Sequence, residues 1–227
     1  MQGAGVAPSY GKPTLFRVHE DLMALMANHE YGAYANDAEA ITKAMMRARR
    51  EVHTLVAGLK SLGGVWKDMR IVATPAHIGI REGRRIQGRY TVSTDDLLVG
   101  SRQEDAICRV TIGIDVHSTD SSQTLGIESR PFKSKPYDIP LRALIAKDVD
   151  GLLMAGRCIS GDFWAHSSHR VTGNAAAMGQ AAGVAAALAA QSNRLPHEVP
   201  WPEVSEALNV LNRKEAEDSM AAGTTAM

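Results

Sequence analysis

Residues 151–190 read GLLMAGRCISGDFWAHSSHRVTGNAAAMGQAAGVAAALAA, and the changes of composition within this stretch decide the fold. Gly151 to Gly156 form a short apolar run of the kind a strand shows when a parallel sheet buries both its faces. A connection rich in Gly, Ser and His follows, and from about Asn174 the residues become small enough for a closely packed helix. The order strand, loop, helix brings polar side chains to a helix start. There, unpaired N–H groups and a macrodipole worth about half a positive charge attract phosphate or another electron-rich group. Ala175, Ala176, Gly179, Ala182 and Gly183 carry almost no side chain. Either a second helix meeting a GxxxG pair or a flat ligand can therefore lie against this helix.

Outward from that stretch, Ile41, Met45, Ala48, Val52, Leu55, Val56, Leu59 and Leu62 recur at steps of three and four and predict a long amphipathic helix over 37–62. Asn36 followed by Glu39 resembles a capping box, and Gly63-Gly64 can leave the helix through a left-handed turn. Alternating β-branched and polar residues predict strands in RIVATPAHIGI (70–80) and RRIQGRYTVS (84–93), with a short capped helix or turn in STDDLLVG (93–100). ICRVTIGIDVH (107–117) and YDIPLRAL (137–144) add short strands of an antiparallel sheet. HSTDSSQTLG (117–126) reads as the most mobile loop, and a last helix is expected over 202–217. The tail SMAAGTTAM has no pattern that buries it and is expected to be disordered. The fold class is α+β.

The 227 residues are 44% hydrophobic, which supplies a core and excludes disorder as the main state. Lys plus Arg and Asp plus Glu each total 25, and this balance leaves no general field for nucleic acid or anionic lipid. The opening residues lack the basic start and apolar core of a secretory signal. The most apolar run, 175–190, is interrupted by Gln180 and falls short of the ~20 apolar residues of a membrane span. Cys108 and Cys158 have no CxxC spacing, so neither a disulfide scaffold nor a cysteine-held metal is expected, and a reducing, cytoplasmic setting fits. His166 and His169 have the form HxxH without a convincing third ligand, and Asp162, His166 and Ser167 lack the GxSxG elbow of a hydrolase. His77, Asp115 and His117 are candidate general bases, although an interior hydrogen-bonded histidine is the commoner outcome.

In order along the chain, ARREV, GIREGRRIQGRYTVSTDDLL, EDAI, IDVH, YDIPLRAL, LLMAGRCIS, AHSSHRV and AAMGQAAG resemble the FAD-dependent oxidoreductases of the glutathione-reductase-like superfamily. The likeness is to the broad group that includes flavoprotein relatives of heterodisulfide reductase, and it covers about Tyr31 to Ala190. The resemblance implies FAD as cofactor and flavin-mediated hydride transfer from a small-molecule substrate. It implies an antiparallel-sheet substrate domain with helices, completed by the C-terminal strand–loop–helix of a Rossmann-like FAD domain. The corresponding division is an N-terminal extension (1–30), a substrate or cap domain (31–148), an FAD-binding segment (149–192) and a C-terminal helix with its tail (193–227). The family's GxGxxG fingerprint should precede all of this. Here Gly3 and Gly5 are followed by Pro8 where its third glycine belongs. The chain is therefore expected to be a C-terminal half or subunit that works within a larger assembly, together with a Rossmann-containing N-terminal half. The alternative is a non-catalytic partner subunit or truncated gene product unable to bind FAD alone.

Carried over by position, the resemblance places Gly156 and Arg157 beside the ribityl and pyrophosphate of FAD. Asn174, Ala175, Ala176, Met178 and Gly179 fall at the helix that meets the flavin. His166 and Arg170 match the polar residues before that helix and are the catalytic candidates, with His169 standing where an apolar residue is expected. Arg81 joins them: among Arg81, Arg84, Arg85 and Arg89, strand alternation sends Arg81 and Arg85 to one face, where a guanidinium could bind a carboxylate substrate or anionic reduced flavin.

Overall fold

The computed structural model describes residues 5–117 and 132–224, the side chains of 215, 216 and 218–224 aside. The chain divides into two compact units, one of residues 1–83 and 116–129, the other of 84–115 and 130–227.

The first unit opens with a hairpin of β1 (Thr14–Arg17) and β2 (Met23–Met26), antiparallel with Thr14 opposite Met26 and Arg17 opposite Met23. Its helix α1 (Ala38–Ser61) buries Ala44, Ala48, Leu55 and Leu59, the stripe expected from the apolar spacing. The cap is Asp37 and not Asn36, because the Asp37 carboxylate reaches the Ala40 N–H at 2.9 Å. Glu39, the expected partner in the capping box, instead pairs with Lys43 at 2.6 Å one turn on. The chain leaves α1 through Gly63 and Gly64, whose φ angles of 67° and 57° suit glycine. The strand expected over 70–80 is absent. This segment has irregular backbone, and its alternation reflects half-exposure without a neighbouring strand to complete a ladder.

In the second unit β3 (Ala106–Val110) pairs antiparallel with β4 (Tyr137–Pro140), as the sequence led one to expect for both segments. Helix α2 (Thr94–Val99) carries a complete capping box between Ser93 and Asp96, and Gly100 ends it in the left-handed region at φ 76°. Asp96 is buried. Burial pushes its carboxyl upward, but bonds from the Ser93 backbone, Ser101, Tyr90 and the Ser93 hydroxyl outweigh this and hold it below the usual carboxylate range.

The segment 84–93 is extended, as alternation implies, but is not a strand. Ile86 and Val92 donate to Cys158 and Ser160 on one side, while Arg89 and Tyr90 donate to Ile145 and Arg142 on the other. Bonds divided between two irregular flanks leave only the isolated bridges Gly88–Ala146 and Val92–Gly161. Nor is 151–156 a strand in a parallel sheet. Leu153 bridges Ile145 antiparallel, Met154 donates to Leu144 at 2.8 Å, and Leu152 is exposed. A six-residue apolar run marks a partly buried extended segment but does not specify its partner.

The Gly-, Ser- and His-rich connection is itself helical, as α3 (Phe163–His169), capped by Asp162. Helix α4 (Thr172–Ser192) follows, and α5 (Trp201–Thr224) continues past the expected end at Glu217 into the tail expected to be disordered. No stop signal precedes Gly223, and Met220, Ala221 and Ala222 favour helix. Ala181, Ala185 and Ala189 of α4 pack with Leu141, Ile145, Val199, Val204 and Leu208, so small residues bring α4 and α5 close together. The loop expected over 117–126 lies, beyond His117, outside the described residues. Both cysteines are free thiols, and burial followed by the Asp138 charge pushes Cys108 up to about 11.

Candidate functional site

The turn before α3 begins at Gly156, whose φ of 72° only glycine adopts readily. A Cβ there would stand 3.4 Å from the Ala175 Cβ, and the Gly156 N–H points at the Met178 sulfur, 3.2 Å away. Gly156, Ala175 and Met178 are thus brought together. Arg157, the next residue of the turn, is exposed.

Helix α4 starts at Val171, which has no side chain able to cap it, and Thr172 and Gly173 at its first turn are exposed. Asn174 spends its side-chain amide on the His169 carbonyl at 3.3 Å. The opposite side of the helix bears on the choice between a helix contact and a ligand face. A Cβ built on Gly173, Gly179 or Gly183 meets nothing within 4 Å among the described residues, so the GxxxG pair packs against no second helix there. Ala176 is exposed on the same strip. An uncapped helix start next to a strip without side chains fits a flat, electron-rich group such as a flavin.

Between turn and helix, α3 buries His166, Ser167, Ser168 and His169 completely or nearly so. The two imidazoles stand edge to face with ring centres 5.7 Å apart. No hydrogen bond reaches either ring nitrogen of His169 from the described residues. Burial, then His166, Arg85 and Arg170, push it down to about 3, and it is neutral at all ordinary pH. Arg170 ends α3, donates its backbone N–H to the His166 carbonyl and its guanidinium to the Asp115 carbonyl at 2.8 Å. Arg85 reaches the Asp162 carbonyl at 3.1 Å.

Asp162 is committed to structure. One carboxylate oxygen accepts from the Ala165 N–H at 2.9 Å, the other from the Thr94 backbone and from its hydroxyl at 2.7 Å. Ser167 donates to the Phe163 carbonyl at 2.9 Å. Two residues of the hydrolase arrangement, Asp162 and Ser167, are thereby engaged in holding the helices. Among the described residues no three His, Cys, Asp or Glu side chains come together to hold a metal ion. Among them, too, no helix is long and apolar enough to cross a membrane.

Arg81 and Arg85 do not share a strand face. Arg81 is an exposed residue of the first unit, Arg85 belongs to the second, and no ladder runs through either. His77 is exposed, whereas the Asp115 backbone N–H is bonded to the Ser167 carbonyl at 3.0 Å.

Arg81 and His117 instead fall near a group of side chains that no sequence motif announced. The His29 ring lies 4.5 Å from Tyr31 and 5.5 Å from His117, both edge to face, and Tyr10 stacks with His117 at 6.4 Å. Beneath them Glu51 of α1 accepts from the Ser9 N–H at 2.6 Å, from the Ser9 hydroxyl at 2.7 Å and from the Asn28 amide. The Ser9 hydroxyl takes the His29 N–H at 2.8 Å, and the Tyr31 hydroxyl donates to the Ser9 carbonyl at 3.1 Å. Burial, then His117 and Arg81, hold the His29 imidazole below its usual value.

No curated protein and no solved structure gives a match to the chain. The profile of the family described as FAD dependent oxidoreductase matches residues 7–208. That match spans both compact units and includes the turn at Gly156, α3 and the start of α4. With nearly the whole chain matched, the protein belongs to the FAD-dependent oxidoreductases, flavoproteins that use FAD as cofactor.

Proposed function

We propose that this chain supplies the flavin-side and substrate-side elements of an FAD-dependent oxidoreductase that transfers hydride from a small-molecule substrate. A Rossmann-type half outside these 227 residues would hold the adenosine side of the cofactor. The reading rests on one observation above all, the uncapped first turn of α4 docked on Gly156 and open along Gly173, Ala176 and Gly179.

FAD, when bound, supplies a two-electron acceptor for hydride. The N–H groups at Thr172 to Asn174 would hold negative charge at its pyrimidine edge, and the exposed Ala176 and Gly179 would offer the surface for its ring, while Ala175 and the buried Met178 act from behind by seating the helix on the Gly156 turn. Gly156 lets the turn come close, and Arg157, exposed beside it, would be available to anionic oxygens of the ribityl and pyrophosphate part. Arg170 faces substrate charge. His166 is fully enclosed, and its carbonyl takes the Arg170 N–H; its part is to fix the end of α3 from which Arg170 projects. The functional division into 31–148 for substrate and 149–192 for flavin belongs to the same proposal.

Gly179→Val separates flavin binding from folding. Its Cβ meets nothing, and valine is no worse than glycine within a helix, so stability should stay within about 1 kcal/mol of the parent. Flavin retained by the assembled enzyme should fall at least 10-fold. A Gly179→Val enzyme with full flavin content would refute the flavin surface on α4. For the 227-residue chain by itself, fluorescence titration with FAD should show weak quenching at most, because the phosphate-binding helix and most contacts to the adenosine come from the other half. Tight stoichiometric binding would overturn the two-part reading.

A further inference from the structure

The buried face of α4 holds Met178, Ala181, Ala185 and Ala189, so that one long side chain stands in a row of alanines. Packing does not require that side chain to carry sulfur. Leucine has a similar volume, and exchange between the two in a close-packed interior is ordinarily tolerated. Among long aliphatic side chains, however, methionine is the one with a hydrogen-bond acceptor. Here the acceptor is used: the Met178 sulfur lies 3.2 Å from the Gly156 nitrogen, and Met178 is fully buried.

Gly156 needs that acceptor. Its main chain is buried and turns at φ 72°, directly after the extended Ala155 at φ −136° and ψ 158°. As the first residue of the short 3₁₀ turn Gly156–Cys158 it has no partner for its N–H within the turn, and among the described residues no carbonyl takes it. A buried N–H left unpaired is rare and costly. Two features therefore fasten the turn to α4. The missing side chain of Gly156, whose Cβ would stand 3.4 Å from that of Ala175, lets the backbone approach, and the N–H···S bond fixes where the approach stops.

We propose that Met178 is a positioning residue: by accepting the Gly156 N–H, its sulfur sets the spacing between the Gly156–Cys158 turn and the start of α4, the two elements assigned to the cofactor above. The consequence for FAD rests on that assignment, whereas the bond itself does not. The bond is tested on the 227-residue chain alone, free of FAD, with Met178→Leu, which keeps volume and apolarity and removes the acceptor. In hydrogen exchange followed by NMR, the Gly156 amide should exchange about 10-fold faster than in the parent and its proton resonance should move, while the α4 amides of Ala185 and Ala189 keep their rates. Met178→Gln, which brings a carbonyl oxygen to the place of the sulfur, should return the Gly156 amide to slow exchange. Packing alone predicts the reverse order, with leucine silent and the buried glutamine amide disruptive. In the assembled enzyme Met178→Leu should weaken FAD about 5-fold at an unchanged melting midpoint, and Met178→Gln should weaken it less. An unaltered Gly156 amide in Met178→Leu, a general quickening that includes Ala185 and Ala189, or full FAD affinity despite a faster Gly156 amide would each overturn the positioning role. Full flavin content in Gly179→Val would instead remove the flavin surface and leave the exchange result standing, so the two failures are distinct.

Discussion

Replacing His169 by leucine is expected to stabilise the protein, and increasingly so as the pH falls. Both ring nitrogens are buried without hydrogen-bond partners among the described residues, and leucine of similar size removes that penalty, about 1–2 kcal/mol at neutral pH. The pH dependence follows from linkage. In the folded protein the imidazole titrates at about 3, against the ordinary 6.5 when unfolded. Above 6.5 both states are neutral and histidine adds no pH dependence. Below it the unfolded chain takes up a proton that the folded chain refuses, so stability is lost as pH drops from 6.5 toward 3, by ~5 kcal/mol over the whole interval. His169→Leu abolishes that loss, and at pH 5 its advantage should exceed the neutral-pH value by ~2 kcal/mol. Urea midpoints at pH 7 and pH 5 measure both quantities. Parallel profiles for the two proteins would mean that His169 is protonated, or satisfied, inside the fold.

Gly88→Ala should have the opposite sign and comparable size. A Cβ at this position would lie 2.7 Å from the Ser160 Cβ and 2.9 Å from the carbonyl oxygens of Ala143 and Tyr90. Two of the three obstacles are backbone, so no rotamer change relieves them, and a cost of about 3 kcal/mol is expected. The segment 84–93 is held between two flanks by single hydrogen bonds, and pushing it outward also strains the Thr91–Ser160 contact of 2.9 Å. Gly79→Ala is the control, since its Cβ would meet nothing. A melting midpoint for Gly88→Ala equal to that of Gly79→Ala would show that this crowding relaxes freely.

What could be read in the sequence depended on whether burial and polarity agreed. Helix α1 was legible because its apolar stripe coincides with its buried face. Helix α3 was not, because it buries His166, Ser167, Ser168 and His169, and a helix with a polar inner face reads as a loop. Alternation located the extended segment 84–93 correctly, yet hydrogen bonds split between two neighbours kept it from becoming a strand. Of the candidate site, Gly156, Ala175 and Met178 lie within one window of 23 residues and share a recognisable strand–turn–helix pattern. The His29 cluster draws on residues from 9 to 117, and no local pattern can contain it.

Asp162 has a mechanical meaning. Its two carboxylate oxygens bind the first residue of α2 and the third of α3, so the starts of these short helices are fastened to one side chain. Neither helix can tilt without dragging the other. The far end of α3, where Arg170 sits, is moored separately to the Asp115 carbonyl. The seven-residue helix is in effect a beam fixed at both ends. Thermal motion has to reach Arg170 as bending of that beam and not as a swing about its base.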